Sequence, residues 1–137
     1  MTRPELARRQ QHVLRALLAG EVPDGFDPRS ATLTTRVLVT KRRSEATDAF
    51  PLLRTVPDFA ARFGAWSAQH PRRGCADDDV VDFLADDTGE LPEPLASIRT
   101  IEQVYRGSRS FARDRRPGQA RWVIALRGRV WHLGPRS

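Results

Sequence analysis

Five apolar stripes at helical spacing occupy residues 5–106, and the period then changes to that of a strand. Helices and strands present their apolar residues on different geometries, so this order constrains the chain to a helical bundle followed by a small β element. The first stripe, over residues 5–19, contains Leu6, Val13, Leu14, Leu17 and Leu18 with Arg8, Arg9 and Arg15 between them; Gly20 stops it. Val22 to Pro28 is turn-rich, and Ser30 is placed to cap a second helix over 30–49. Leu33, Val37, Leu38, Ala46 and Ala49 give that helix its apolar spacing, which leaves Lys41, Arg42 and Arg43 as a solvated outer face. Phe50-Pro51 ends it, because proline restricts the residue before it, and Leu52, Leu53 and Val56 form a short apolar link.

A third helix is predicted over 57–69, with Pro57 at its first position and Asp58 at the positive end of its dipole. Phe59, Phe63 and Trp66 recur at i, i+4 and i+7, and His70-Pro71 closes it. Asp77, Asp78 and Asp79 read as the start of a fourth helix that buries Val80, Val81, Phe83 and Leu84 and ends before Gly89. The fifth spans about 92–106 on Leu95, Ile98, Ile101 and Tyr105. Residues 107–120 lack periodicity and read as a loop. Residues 121–126 and 129–133 are rich in branched and aromatic side chains, and Arg127-Gly128 fits a two-residue hairpin turn. The expected fold is mainly α within the α+β class: a five-helix bundle over 1–106, then a basic loop and a short antiparallel hairpin or small sheet over 107–137. A lone hairpin is marginal in water, so it must pack on the helices or pair with another strand.

With 137 residues the chain has room for one domain with a real core. No apolar run reaches the roughly 18–20 residues of a membrane helix, and the first residues lack the pattern of a secretory signal. The single cysteine, Cys75, excludes an internal disulfide framework and a multi-cysteine zinc site. A cytoplasmic protein is expected. Charge is segregated: residues 1–105 sum to −2, whereas 106–137 carry nine Arg against Asp114 alone, a sum of +8. Such a segment attracts nucleic acid, anionic lipid or an acidic peptide.

Chemistry-bearing motifs are sparse. His12, His70 and His132 fall on separate elements without metal-ligand spacing. Cys75, with His70 five residues away, lacks a third orienting group. Asp77, Asp78, Asp79, Asp82, Asp86 and Asp87 lack the Ca²⁺-loop pattern; helix-dipole complementarity accounts for the first three and a solvated face for the rest. Phosphate-binding glycine loops and the nucleophile-elbow motif are absent. No catalytic, cofactor or metal residue is assigned, and the expectation is a protein that is not itself an enzyme. The binding candidates are Arg121, Trp122, Val123, Ile124, Arg127, Arg129 and Trp131, with a basic patch of Arg109, Arg113, Arg115 and Arg116. Arg and aromatic residues on strands suit stacking on single-stranded nucleic acid. They equally suit a peptide that joins the hairpin as a third strand. One tryptophan is expected buried against the helices and the other partly exposed.

Five segments, in order, carry a family resemblance. They are Leu14-Arg15-Ala16-Leu17-Leu18 followed by Pro23-Asp24-Gly25-Phe26; Ala49-Phe50-Pro51-Leu52-Leu53; and Phe59 and Phe63 with Ala68-Gln69-His70-Pro71-Arg72. Asp82-Phe83-Leu84-Ala85 and the run Leu91 to Glu102 complete the set. From about Leu14 to Arg106 the chain resembles the HvfC/BufC-like partner proteins, a helical family once labelled DNA-binding, which serve multinuclear non-haem iron-dependent oxidative enzymes. It also resembles small actinobacterial domains found fused to or beside such enzymes. The resemblance implies an accessory subunit, paired as a heterodimer with a TIM-barrel iron enzyme in the biosynthesis of ribosomally made, modified peptides. The partner protein binds the enzyme and presents the leader of the precursor peptide, often by strand pairing. Iron would belong to the enzyme and no cofactor to this chain. Family members often carry a larger C-terminal α/β domain, whereas this chain has room only for a short sheet.

Overall fold

The computed structural model describes residues 1–118 and 120–134; Gln119, within the expected loop, and residues 135–137, at the end of the basic segment, lie outside the described residues. Helix α1 spans Arg3–Leu18 and opens on a capping box, in which Thr2 and Glu5 satisfy each other's backbone N–H. Helix α2 spans Pro28–Ala49. Asp27, not Ser30, caps it: the Asp27 carboxylate accepts from the Ser30 backbone N–H at 2.9 Å. The apolar link is a 3₁₀ turn over Pro51–Thr55 that buries Leu53. Helices α3 (Phe59–Gln69), α4 (Ala76–Asp86) and α5 (Leu95–Tyr105) follow, each starting one to three residues from its expected position or coinciding with it at the other end within a residue or two. Cys75 is the N-cap of α4 and shares a reciprocal capping arrangement with Asp78.

The main core joins α2, the 3₁₀ turn, α3, α4 and the start of α5 around Leu53, Phe63, Phe83, Leu84 and Leu95. Phe63 is fully buried, with Phe59, Trp66 and Phe83 rings all centred within 5.6 Å of it. Charge enters this core in a way the sequence did not announce. Arg42, expected on a solvated face, is buried and makes a two-pronged bond to Asp79, Nε to Oδ2 and Nη2 to Oδ1, both at 2.8 Å. Its Nη1 donates to the carbonyls of Ser67 and His70, and its guanidinium lies 5.3 Å from the Trp66 ring centre. Five donors and a planar fork suit arginine to such a place. Two of the acids expected on a solvated face also hold cations, while Asp77 and Asp86 stay exposed. Asp87 pairs with Arg62 and Arg99, and Asp82 with Arg106. Conversely, Leu33 and Val37 of α2, expected in the core, are exposed, as is Leu14 of α1.

The segment 107–120 is not wholly loop: Phe111–Asp114 forms strand β1. With β2 (Arg121–Leu126) and β3 (Arg129–Leu133) it makes a three-stranded antiparallel sheet in the order β1-β2-β3. Its four residues lack apolar alternation because Arg113 and Asp114 sit in it, which hides a strand from periodicity. The turn between β2 and β3 is Arg127-Gly128, both at positive φ (49° and 75°), as a two-residue hairpin with right-handed twist requires. The sheet's inner face packs Ala112 and Val123 on Val104 of α5, with Ile101, Ala125 and Val130 around them.

Candidate functional site

Alternation along each strand divides the sheet into two faces. The register sets Phe111 opposite Ile124 and Ile124 opposite Trp131; it also sets Arg113 opposite Trp122 and Trp122 opposite Leu133, with Leu126 opposite Arg129. All eight side chains therefore share the outer face, and six of them are apolar. That face is open: relative exposure is 54% for Phe111, 44% for Trp122, 64% for Leu126, 53% for Trp131 and 52% for Leu133. Both tryptophans are thus exposed, contrary to the expectation that one is buried. The reason is register: Trp122 and Trp131 stand on different strands but on the same outward rows, and the thin inner core has room only for Ala112, Val123 and Val104.

The binding candidates separate accordingly. Trp122, Ile124, Arg129 and Trp131 lie on the outer face, and Arg127 is exposed in the turn. Val123 is fully buried on the central strand and cannot meet a partner. Arg121 points inward, its Nε 3.5 Å from Asp114 Oδ2. Asp114, the lone acid of the basic segment, is itself buried and receives Arg116 through backbone N–H, Nε and Nη2 at 2.6 to 3.1 Å. Those Arg116 bonds hold the Asp114 carboxyl below the usual carboxylate range, and the carboxylate in turn raises the Arg116 guanidinium. Arg116 is thus engaged inside the fold, and the basic patch reduces to Arg109, Arg113 and Arg115.

Those three line a groove of about 340 Å³ between β1 and α5, together with Glu93, with Ser97 and Thr100 of α5 and with the rings of Phe111 and Trp122. The Arg109 guanidinium lies 5.9 Å from the Phe111 ring centre and Arg113 lies 5.8 Å from that of Trp122. Arg109 Nε donates to the Phe111 carbonyl at 2.8 Å, and the Arg115 backbone N–H donates to Ser97 Oγ at 3.0 Å. Ladder geometry assigns the backbone directions. The Ala125 N–H donates to the Ser110 carbonyl, directly opposite it, so hydrogen-bonded pairs recur at every second residue. Ala112 and Asp114 thus face β2, while the N–H and C=O of Phe111 and Arg113 face the groove. By the same alternation β3 turns Val130 and His132 outward along its free edge.

Other candidates resolve into structure. His70 stacks on Trp66 at 4.8 Å, with Nδ1 2.8 Å from the Trp66 carbonyl. The Cys75 thiol donates to Asp78 Oδ2 at 3.3 Å, and the Cys75 backbone and thiol bonds hold the Asp78 carboxyl below its usual range. His132 Nε2 is 2.6 Å from the Tyr105 hydroxyl. Among the described residues, no group of three His, Cys, Asp or Glu side chains converges on a metal position, and no helix is long and apolar enough to cross a membrane.

No curated protein and no solved structure matches the chain. One family model, described as "SCO6045-like, C-terminal domain", matches residues 7–88, from the first turns of α1 to just beyond α4. The match spans more than half of the sequence and includes the buried Arg42–Asp79 pair and most of the main core, and on this ground the chain belongs to the SCO6045-like C-terminal domain family.

Proposed function

We propose that the chain is a non-catalytic partner protein, which binds a multinuclear non-haem iron oxidative enzyme and presents a ribosomally made precursor peptide to it. The observation that carries this reading is the uncovered outer face of the C-terminal sheet, where six apolar side chains stand beside open strand edges. Contiguous exposed apolar surface on a small domain marks a place for a partner. A sheet edge beside it offers a peptide main-chain hydrogen bonds, with pockets for alternate side chains. The ordered segment matches from Leu14 to Glu102 support the enzyme half of the reading. The iron belongs to the enzyme, and this chain supplies binding surface. The exposed tryptophans with Arg113 also suit single-stranded nucleic acid, but Ile124, Leu126 and Leu133 on the same face offer no plane on which a base stacks.

Co-expression of the chain with its neighbouring reading frames, followed by pull-down, mass spectrometry and metal analysis, tests the proposal. Recovery of an iron-containing barrel protein, and peptide modification only when both proteins are present, is the expected result. Full modification by the enzyme without this chain would overturn it, and so would recovery of nucleic acid alone.

A further inference from the structure

We propose that the groove between α5 and β1 seats the peptide as a strand added to β1, and that it selects a segment rich in aspartate or glutamate. This rests on the peptide-presenting reading and adds to it the edge that is used and the chemistry of the segment. The first ground is charge. Arg42, Arg62, Arg72, Arg99 and Arg106 of the bundle each hold a carboxylate of the chain, whereas no described carboxylate pairs with Arg109, Arg113 or Arg115. One acid, Glu93, also lines the groove and accepts from Ser97 Oγ at 2.8 Å; three guanidinium groups against this single carboxylate leave a surplus of donors for carboxylates brought from outside. The second ground is the backbone. The Arg113 N–H and C=O and the Phe111 N–H face the groove, so the edge demands donors and acceptors in alternation. A peptide main chain supplies both; a phosphate supplies acceptors alone. The third ground is the floor: Phe111 and Trp122 line the groove and continue onto the outer face, so apolar residues of the same segment have somewhere to lie. Beta3 offers the other free edge, but at Val130 and His132 it carries no comparable groove, and its one outward cation is Arg129.

The test uses the full chain, ¹⁵N-labelled, titrated with a synthetic octapeptide of alternating aspartate and valine; the control peptide has asparagine for aspartate. Amide shift changes concentrated at Phe111 and Arg113 are expected, with the aspartate peptide binding about tenfold more tightly than the control, as one charge-assisted bond would give. Added salt should weaken the aspartate peptide and leave the control nearly unchanged. The double change Arg113→Glu and Arg115→Glu should abolish the preference, and Arg109→Ala should reduce it; both positions of the double change are exposed, and retained thermal unfolding would show that the fold is intact. Arg127→Glu with Arg129→Glu should leave the preference in place. Shift changes at Val130 and His132 instead would overturn the choice of edge while leaving peptide presentation standing. Equal binding of the two peptides, or binding of neither, would overturn the selection of acidic segments; the co-expression result above decides separately whether the partner reading falls with it. Displacement of the peptide by a single-stranded oligothymidylate at the same amides would overturn both.

Discussion

Phe63 in the bundle is fully buried among three aromatic rings, whereas Trp131 in the sheet stands half in water with its apolar neighbours beside it. Arginine shows the same contrast. Arg42 is sealed in the bundle with both prongs on Asp79, whereas Arg113 lies over Trp122 at the mouth of a groove, and no described carboxylate pairs with it. The bundle turns Phe59, Phe63, Trp66 and Phe83 upon one another and pairs Arg42 with Asp79, so that removing one partner leaves a cavity or an uncompensated charge. The sheet uses its inner face for the same purpose, on a smaller scale, and leaves its outer face unmatched. The main core is therefore closed on itself, whereas the outer face of the sheet is left uncovered.

The contrast can be broken at its strongest point first. Asp79→Ala leaves Arg42 buried without a counter-charge and should cost roughly 3–5 kcal/mol in a urea titration. Phe63→Ala empties the aromatic core and should cost about as much, roughly 3–5 kcal/mol by the same measurement. A loss below about 1 kcal/mol for either would mean that the bundle is not the closed unit described. Asp114→Asn sharpens the comparison within the sheet, because this one inner pair behaves as the bundle's do. Bonds to a charged group of this kind contribute roughly 1.5–3 kcal/mol, and that much should be lost at neutral pH. The Asp114 carboxyl is held low by Arg116, so its contribution is complete above the ordinary carboxylate range and is lost as pH falls through the lower folded value. Stability of the wild type and of Asp114→Asn should therefore converge below about pH 4, measured by unfolding across pH. On the outer face, Trp131→Ser should change stability by less than about 1 kcal/mol yet weaken capture of the peptide. The smallest effect belongs to the turn: Arg127→Asn places a residue that tolerates positive φ at φ 49° and should gain less than about 1 kcal/mol in thermal unfolding.

Helix order, the Phe59–Phe63–Trp66 stripe and the Arg127-Gly128 turn were legible because each depends on neighbours within a few residues. Strand β1 was not, since four residues containing Arg113 and Asp114 carry no period of their own; pairing with β2 makes them a strand. The candidate site was half legible. Arg and Trp on β-like sequence pointed to the sheet, and an Asp within an Arg-rich run was the one signal that some of those cations are held internally. Nothing local distinguishes Arg116, bonded to Asp114, from Arg115 one residue earlier.

By itself the sequence determined the helical bundle and the change to strands near residue 106, because apolar spacing acts over one or two turns of chain. Tertiary structure alone decided which arginines became core, which tryptophan rows faced outward and which strand edge opened on a groove. Those outcomes depend on contacts such as Arg42 with Asp79, 37 residues apart, and on a register that places Trp122 opposite Leu133. Burial of a charge or a ring is settled by the element packed against it, and that element is named only when the chain has folded.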